Sequence, residues 1–228
     1  ESVTDASDPA INYDGTALAC LGDTGRSLYF FSGGKGQYLV KNKKMTAPSF
    51  DSFGWLWVAE SDGAVRAYNA ASTNEKERSK GIEIPVSWRS GMTFSSLRIS
   101  HDGARVVVVG TRDGTAAVVM SGVVRDSSGT PKGFTEPVRV TSSITPRTAV
   151  WAGEQNLVVV NDKTGESEVT TLSGEETKFD RLDGVKSVSA AGNTSNMLAH
   201  RSDGSCYVLE ERGWNRLNTS TREMSFAG

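Results

Sequence analysis

The chain has 228 residues, 37% of them hydrophobic, and a formal net charge of −2, which gives it no general attraction to nucleic acid. Its two cysteines and two histidines are too few for a metal quartet or a histidine-based metal site, so we expect neither a metal nor a cofactor. No apolar run reaches the roughly 18 to 20 residues of a membrane-spanning helix.

Short runs of β-branched and aromatic residues follow one another along the whole chain. In chain order they read ALACLG, SLYFFSG, QYLV, WLWVAE, AVRAYNA, LRIS, RVVVVG, AAVVMS, NLVVVND, EVTTL, MLAHR and CYVLEE. Gly, Asp, Asn and Ser bound these runs and favour turns, whereas apolar residues seldom recur at helical spacing. The pattern predicts many short strands and almost no helix.

A glycine recurs after the second strand of each group of runs. These glycines are Gly25, Gly63, Gly114, Gly165 and Gly204, and the intervals between them are 38, 51, 51 and 39 residues. A second series lies one strand upstream, at Gly15, Gly54, Gly103, Gly153 and Gly192. Five units of four strands, at a period of about 40 to 50 residues, indicate an all-β fold, a β-propeller of five blades.

We predict a single propeller domain over residues 1–228. Its blades are expected at about 10–42, 48–86, 95–141, 147–182 and 186–218. A six-bladed ring completed by strands at the chain ends and a β-sandwich stay open as alternatives. Segments 69–81 and 125–136 are expected to be insertions before the fourth strands of blades two and three, the first of them a long loop. Either SVTDASDPA or EMSFAG is expected to close the ring.

The contexts of the cysteines and tryptophans predict how they pack. Cys20 and Cys206 lie in apolar runs and are expected to be buried thiols, with a disulfide that closes the ring as the alternative. Trp55 and Trp57 alternate along one strand, so they share a face that we expect to pack between blades. Trp151 follows a first strand and could approach the central channel.

Three segments, taken in order, resemble a known family. APSFDSFGWLWVAE, LRISHDGARVVVVG and SGVVRDSSGTPKGFTEPVRV are similar to the β-propeller domain of the actinobacterial LpqB-type lipoproteins. In that family a strand with Pro-Ser-aromatic-Asp, then Gly and Trp, opens one blade, Leu-Arg-Val-Ser-x-Asp-Gly opens the next, and Gly-Val-Val-Arg-Asp follows. The resemblance covers most of the chain and is strongest between Pro48 and Val140.

This resemblance implies a secreted lipoprotein, held on the outer face of the cytoplasmic membrane by an N-terminal lipid, with a GerMN-type domain before the propeller. It also implies association with a two-component sensor kinase that governs cell-envelope homeostasis. We therefore expect a non-enzymatic interaction module whose partner is the extracytoplasmic region of a sensor histidine kinase, with contact to the membrane surface as a further expectation.

Catalysis has little support in the sequence. Asp14, Asp51 and Asp102 recur in phase, as the carboxylates of a propeller glycosidase could, but each lies at a bend where Asp stabilises a turn. His101 in a predicted turn and His200 in a predicted strand suggest no Ser-His pair, and the sequence lacks phosphate-loop and calcium-loop motifs. We predict no catalytic residues. A carbohydrate-active or hydrolytic propeller enzyme and a small-ligand sensor in the central funnel stay open as alternatives.

The connections between successive blades are expected on one face of the disc, with an excess of positive charge. They are residues 41–48, 86–95, 141–148 and 178–186. The predicted binding residues for an acidic partner surface or anionic lipid heads are Lys43, Lys44, Arg89 and Arg147. Trp88, beside Arg89 in a predicted loop, is predicted to be a recognition anchor. Ordinary solvated charge is the alternative, since acidic turns between second and third strands share this face.

Overall fold

The strands gather into five antiparallel sheets, arranged as the blades of a β-propeller. The computed structural model describes residues 3–172, 181–190, 197–210 and 213–220. The predicted all-β fold with five blades is confirmed, and within these ranges the strands form neither a sixth blade nor a β-sandwich.

Each blade is built from strands that are consecutive in the chain. Blade 1 contains β1 (Ser7–Ile11), β2 (Ala17–Gly22), β3 (Ser27–Ser32) and β4 (Lys35–Val40). Blade 2 contains β5 (Ser49–Phe50), β6 (Trp55–Ala59), β7 (Val65–Asn69), α1 (Glu75–Lys80) and β8 (Ile82–Ile84). Blade 3 contains β9 (Thr93–Ile99), β10 (Arg105–Arg112), β11 (Thr115–Arg125), β12 (Pro131–Phe134) and β13 (Val138–Val140).

The last two blades follow in the same way. Blade 4 contains β14 (Thr148–Ala152), β15 (Asn156–Asn161) and β16 (Glu166–Thr171), and blade 5 contains β17 (Val185–Ala190), β18 (Met197–Arg201), β19 (Ser205–Glu210) and β20 (Gly213–Ser220). The first strands of successive blades contact one another, from β1 through β5, β9 and β14 to β17. They are therefore the innermost strands of the ring.

Hydrophobic clusters fill the interfaces between successive blades, from blade 1 to blade 5. Strand β10 shows why its sequence is an unbroken run of valines. Val106 and Val108 point towards blade 2, whereas Val107 and Val109 point towards blade 4. Because neighbouring residues of a strand face opposite sides, a sheet buried on both sides needs apolar residues at every position. Burial of each valine contributes about 1.5–3 kcal/mol.

Segment 69–81 departs from its prediction, because its second half is helix α1 instead of a loop. Asn74 caps the helix by accepting a hydrogen bond from the backbone N of Lys76 at 3.0 Å. Arg78 donates to Oε1 of Gln37 in β4 at 2.9 Å, so the helix fastens blade 2 to blade 1. None of the six helical residues is buried, and the segment therefore lacks the apolar stripe by which a sequence reveals a helix.

Segment 125–136 contains a β-hairpin turn and strand β12. Oδ1 of Asp126 accepts hydrogen bonds from the backbone N atoms of Ser128 and Thr130, both at 3.0 Å, and fixes the turn. Strand β12 pairs with the second half of the long strand β11, and β13 pairs with the first half. Two short strands thus share the outer edge of blade 3.

Antiparallel strands send successive turns to opposite faces of the disc. We call the face with the first-to-second-strand turns the turn face; its turns are residues 12–16, 51–54, 100–104 and 153–155. The opposite face, the connection face, carries the second-to-third-strand turns and the connections between blades at 41–48, 85–92 and 141–147.

Blades 1 and 5 contain the first and the last strands of the described chain. Part of the predicted N-terminal closing stretch forms β1 inside blade 1, while β17 to β20 pair among themselves in blade 5. The alternative closing stretch, EMSFAG, lies outside the described residues. Cys20 and Cys206 are both buried, and neither forms a disulfide. No helix in the described part of the chain is long and apolar enough to cross a membrane.

Candidate functional site

The innermost strands carry few groups that could act as acids or bases. Among the described residues of β1, β5, β9, β14 and β17, Asp8 is the single acidic side chain. A glycosidase needs two carboxyl groups about 5 to 10 Å apart, and these strands do not supply the pair. Within the described ranges there is also no group of three or more His, Cys, Asp or Glu side chains placed to hold a metal.

The two histidines lie in different blades. His101 is in the β9–β10 turn, as expected, and His200 is in β18. His200 is 8% exposed, and neither ring nitrogen has a hydrogen-bond partner among the described residues. A serine nucleophile needs a histidine within hydrogen-bond reach, and these two side chains offer none to the described serines.

Arg98 of β9 ties the inner edges of blades 2 and 3 together. Its Nη1 donates to the carbonyl oxygens of Ala47 at 2.7 Å and Pro48 at 3.1 Å, in the connection that leads into blade 2. Burial lowers the pKa of this guanidinium, and the charge of Asp8 in β1 acts in the opposite direction. The carbonyl of Arg98 accepts from Nε1 of Trp151, which packs between blades 3 and 4. These contacts are structural.

On the connection face, two of the predicted binding residues are held in ion pairs. Nζ of Lys43 lies 2.8 Å from Oε2 of Glu60, and Nε of Arg66 lies 2.8 Å from Oε1 of the same carboxylate. Glu60 is only 3% exposed. Nε of Arg147 lies 2.7 Å from Oδ1 of Asp162. The acidic turns of this face therefore neutralise much of the positive charge expected on it.

The other three predicted residues lie on the same face. Lys44 is exposed and has no ion pair within the described ranges. Trp88 and Arg89 are half-buried in one turn, and Trp88 packs against the cluster between blades 2 and 3, its ring 6.1 Å from that of Phe94. Nε1 of Trp88 is buried without a partner among the described residues. The five residues thus lie on three separate connections and form no single pocket.

A groove lies on the connection face between blades 3 and 4. It is lined by Gly114 to Val118 and by Arg139 to Pro146. Ser143 is held at this groove by Glu168, whose Oε2 accepts from Oγ of Ser143 at 2.6 Å and from its backbone N at 3.0 Å. Arg181 donates to the same hydroxyl at 2.6 Å. The buried carboxylate of Glu168 therefore anchors the connection into blade 4.

On the turn face, Asp14 and Asp102 do what a turn carboxylate is expected to do. Oδ1 of Asp14 accepts from the backbone N of Thr16 at 2.9 Å, and Oδ1 of Asp102 accepts from the backbone N of Ala104 at 3.0 Å. Hydrogen bonds from Thr16 lower the pKa of Asp14. For Asp102, burial raises the pKa, but hydrogen bonds from Ser100 and Ala104 outweigh it and the pKa is lowered.

Asp51 occupies the same turn position in blade 2 but is buried, at 4% exposure. Its Oδ1 accepts from the backbone N atoms of Phe53 and Trp55, both at 2.9 Å. Its Oδ2 accepts from Nε1 of Trp57 at 2.8 Å and from Nη2 of Arg125 in blade 3 at 2.6 Å. This Asp51–Arg125 ion pair joins two blades beneath the turn face.

Two exposed rings lie on the turn face, and neither is among the residues predicted from the sequence. Tyr13 is 59% exposed and Phe53 is 51% exposed. The guanidinium of Arg125 lies 4.4 Å from the centre of the Phe53 ring. The ring of Tyr13 lies 4.7 Å from that of His101, whose carbonyl accepts from the backbone N of Ser52 at 3.0 Å. A usable signal was present: NYDG, FDSFG and SHDG each place an aromatic ring or a histidine beside a turn carboxylate.

The family model described as "Lipoprotein LpqB beta-propeller domain" matches residues 1–224. The chain belongs to this family. Lipoprotein LpqB of Streptomyces avermitilis is 26% identical over 171 residues, which cover 68% of this chain and 27% of that protein. The chain thus spans about a quarter of its relative's length. The resemblance inferred from three sequence motifs is confirmed.

Solved structures of other propellers share the fold. Virginiamycin B lyase from Staphylococcus aureus superposes with a TM-score of 0.61 at 11% identity, covering 96% of this chain and 71% of that one. A chain of the nidogen/laminin complex superposes with a TM-score of 0.60 at 10% identity, covering 91% of this chain and 76% of its own length. Identities this low show the fold alone.

The motifs that carry the family resemblance meet in the structure of the turn face. Asp51, Phe53 and Trp57 belong to the first motif, Gly103 to the second, and Arg125 to the third. Nη2 of Arg125 also donates to the carbonyl of Gly103 at 3.0 Å. The motif residues therefore form one inter-blade contact instead of a set of reacting groups.

Proposed function

We propose that this domain is a non-enzymatic protein-interaction module of an envelope-anchored lipoprotein. Its partner in this proposal is the extracytoplasmic region of a sensor histidine kinase, in a two-component system that serves cell-envelope homeostasis. The observation that carries the proposal is the pair of exposed rings, Tyr13 and Phe53, held in place against His101 and Arg125. Exposed aromatic side chains in fixed positions are typical anchors of protein interfaces.

Family membership supports the proposed location. The family is one of lipoproteins, and the Streptomyces relative is itself named a lipoprotein. In the full protein, an N-terminal lipid would hold the domain at the outer face of the cytoplasmic membrane, with a GerMN-type domain between anchor and propeller. A domain placed in this way meets the extracytoplasmic parts of membrane proteins without crossing the membrane.

The innermost strands support a binding role over a catalytic one. Asp8 is their single acidic residue within the described ranges, so the acid–base pair of a glycosidase would have to come from elsewhere. The likeness to lyase structures at 10% and 11% identity adds nothing for catalysis, since it shows the fold alone.

Direct binding tests the proposal. The purified domain would be titrated onto the immobilised extracytoplasmic region of the sensor kinase from the same cell, with the region of an unrelated sensor kinase as the control surface. We expect saturable binding to the first surface and none to the second. A folded domain that binds both surfaces equally, or neither, would contradict the proposed partner.

A further inference from the structure

We propose that the turn face of blades 1 to 3 is the docking surface, and that it receives a basic segment of the protein partner, with an arginine or lysine side chain over Tyr13. This inference rests on the proposed function and deepens it by naming the face and the chemistry of the partner. It differs from the sequence-based expectation, which placed binding on the connection face.

On the turn face, one arginine of the chain itself is already bound in the way proposed for the partner. The guanidinium of Arg125 lies 4.4 Å from the ring centre of Phe53 and 5.7 Å from that of Trp57. Its Nη2 is 2.6 Å from Oδ2 of Asp51. A cation stacked on an aromatic ring and paired with a carboxylate gains from both interactions at once.

Tyr13 forms a similar arrangement that is open to solvent. Its ring packs on His101 and is 59% exposed. Asp14 follows Tyr13 in the chain and Asp102 follows His101, so each ring is followed by a carboxylate in the same turn. Asp14 is exposed and has no ion pair with the described residues, while Asp102 is 3.6 Å from Nη2 of Arg105. A cation supplied by a partner would complete what Arg125 completes at Phe53.

The open arrangement is held in place before any partner binds. Hydrogen bonds from Thr16 fix Asp14, and those from Ser100 and Ala104 fix Asp102. The bond from Ser52 to the carbonyl of His101 joins the turns of blades 2 and 3. A partner therefore pays little entropy for ordering this surface, which favours specific docking.

Charge complementarity selects a basic protein segment over other occupants. The carboxylates next to the Tyr13 and His101 rings in the chain, Asp14 and Asp102, would repel an anionic lipid head placed over Tyr13. A neutral glycan could stack on Tyr13 but would gain no electrostatic attraction from the charge of Asp14. A segment with arginine or lysine uses both the ring and the carboxylates.

A peptide titration tests the chemistry without the partner. The probe is a short peptide of alternating arginine and leucine, followed by NMR of the aromatic side chains. We expect saturable shifts of the Tyr13 and His101 rings, and an affinity loss of at least about tenfold in Tyr13→Ala, as for an interface anchor. Asp14→Asn with Asp102→Asn should weaken binding similarly, since asparagine keeps the acceptor oxygen of the turn and removes the charge.

The controls decide between occupants. A peptide with glutamate in place of arginine should leave the Tyr13 and His101 signals unmoved, and so should vesicles of phosphatidylglycerol and an oligomer of N-acetylglucosamine. If the glutamate peptide, the vesicles or the oligosaccharide move these signals as strongly as the arginine peptide, the inference is wrong. It is equally wrong if the arginine peptide shifts only residues of the connection face.

The sensor region then separates this inference from the proposed function. We expect Tyr13→Ala to lose binding to it, and Lys44→Glu, the matched connection-face variant, to keep the wild-type affinity. If Lys44→Glu loses binding and Tyr13→Ala does not, the inference fails and the proposed function stands. If the wild-type domain does not bind the sensor region at all, the proposed function fails, and the peptide titration alone decides the docking chemistry.

Discussion

The turn face and the connection face both place charged side chains beside tight turns, but they pair them differently. On the connection face, Lys43 and Arg147 lie in ion pairs with the acidic turns around them. On the turn face, the ion pair between Asp51 and Arg125 is buried beneath the surface. The exposed layer above it includes aromatic rings and carboxylates that accept hydrogen bonds from backbone N atoms, together with the ion pairs of Asp102 with Arg105 and of Asp126 with Lys132.

The net charge of a loop therefore does not predict the charge that a partner meets at the surface. Connections rich in lysine and arginine are matched by neighbouring turns from other strands, whose acids approach only in the folded ring. Rings such as Tyr13, by contrast, find no apolar cluster to enter at a turn and stay exposed. The surface available for recognition is therefore the one that the fold leaves unpaired.

Removing Asp51 should produce the largest effect. Asp51→Ala leaves Arg125, with a side chain only 10% exposed, without its counter-ion, and deprives three N–H groups of their acceptor. We expect a loss of about 3–5 kcal/mol in the free energy of unfolding, measured by denaturant titration. Asp14→Ala, at the equivalent exposed turn, should change it far less. Equal losses in both variants would mean that the buried ion pair adds nothing to the turn.

The fold was readable from the sequence because its signals are local and repeated. The alternation of short strands and turn glycines gave five blades, and the valine runs of β10 and β15 mark sheets that are buried on both sides. Helix α1 escaped prediction because it buries no residue and relies on the Asn74 cap and contacts with β4. Short elements stabilised by caps and distant contacts leave no periodic pattern.

The candidate site was harder to predict because its contacts join distant positions. Asp51 was correctly assigned to a turn, yet its partner Arg125 lies 74 residues away and in another blade. Lys43 was counted as free charge because Glu60 approaches it only when blades 1 and 2 pack together. Sequence supplies the residue types at each turn, whereas pairing across blades depends on how the folded blades pack against one another.

Alanine substitutions at Gly103 and Gly15, in two turns of the turn face, should differ in their effect on the free energy of unfolding, but by less than those at Asp51 and Asp14. Gly103 has a φ of +68°, and a Cβ there would lie 2.8 Å from Phe53 and 2.9 Å from Arg125. Gly15 has a φ of +71° with open space around it. Alanine at either site costs about 1–2 kcal/mol of backbone strain, and at Gly103 we expect at least about 1 kcal/mol more from overpacking.

Thermal and denaturant unfolding of Gly103→Ala and Gly15→Ala would provide the measurement. Because the clash in Gly103→Ala moves Phe53 off Arg125, its NMR signals at Phe53 should also shift, while those in Gly15→Ala stay. Equal stabilities of Gly103→Ala and Gly15→Ala would show that the Phe53 side chain moves aside without loss of free energy and is not held by its neighbours.

On the connection face, the buried and the exposed ion pairs should behave differently. Glu60→Gln removes the charge that holds Lys43 and Arg66, and we expect a loss of about 1–2 kcal/mol, because both cations keep access to water. Asp162→Asn removes an exposed pair in which Arg147 is 41% exposed, and should cost about 0.5 kcal/mol or less. Denaturant titration of both variants measures the difference, and an equal or reversed order would contradict the role given to burial.

The smallest effect should come from protonation of Asp126 at low pH, in the hairpin turn between β11 and β12 beside Phe53. A hydrogen bond from the Ser128 hydroxyl is the main reason that the pKa of Asp126 is lowered from 3.8 to about 2, with Lys132 and the turn N–H groups adding to it. The folded state thus favours the ionised carboxylate. Its contribution to stability is complete above the ordinary pKa and is lost as the pH falls from 3.8 towards 2.

Thermal unfolding midpoints measured across this acid range would show the contribution of Asp126. Asp126→Asn keeps an acceptor oxygen for the turn but cannot titrate, so its midpoint should fall less steeply with acid than that of the wild type. Ser128→Ala, which removes the hydroxyl that lowers the pKa most, should give an intermediate slope. Parallel curves for all three proteins would show that ionised Asp126 is no better stabilised in the folded hairpin than in the unfolded chain.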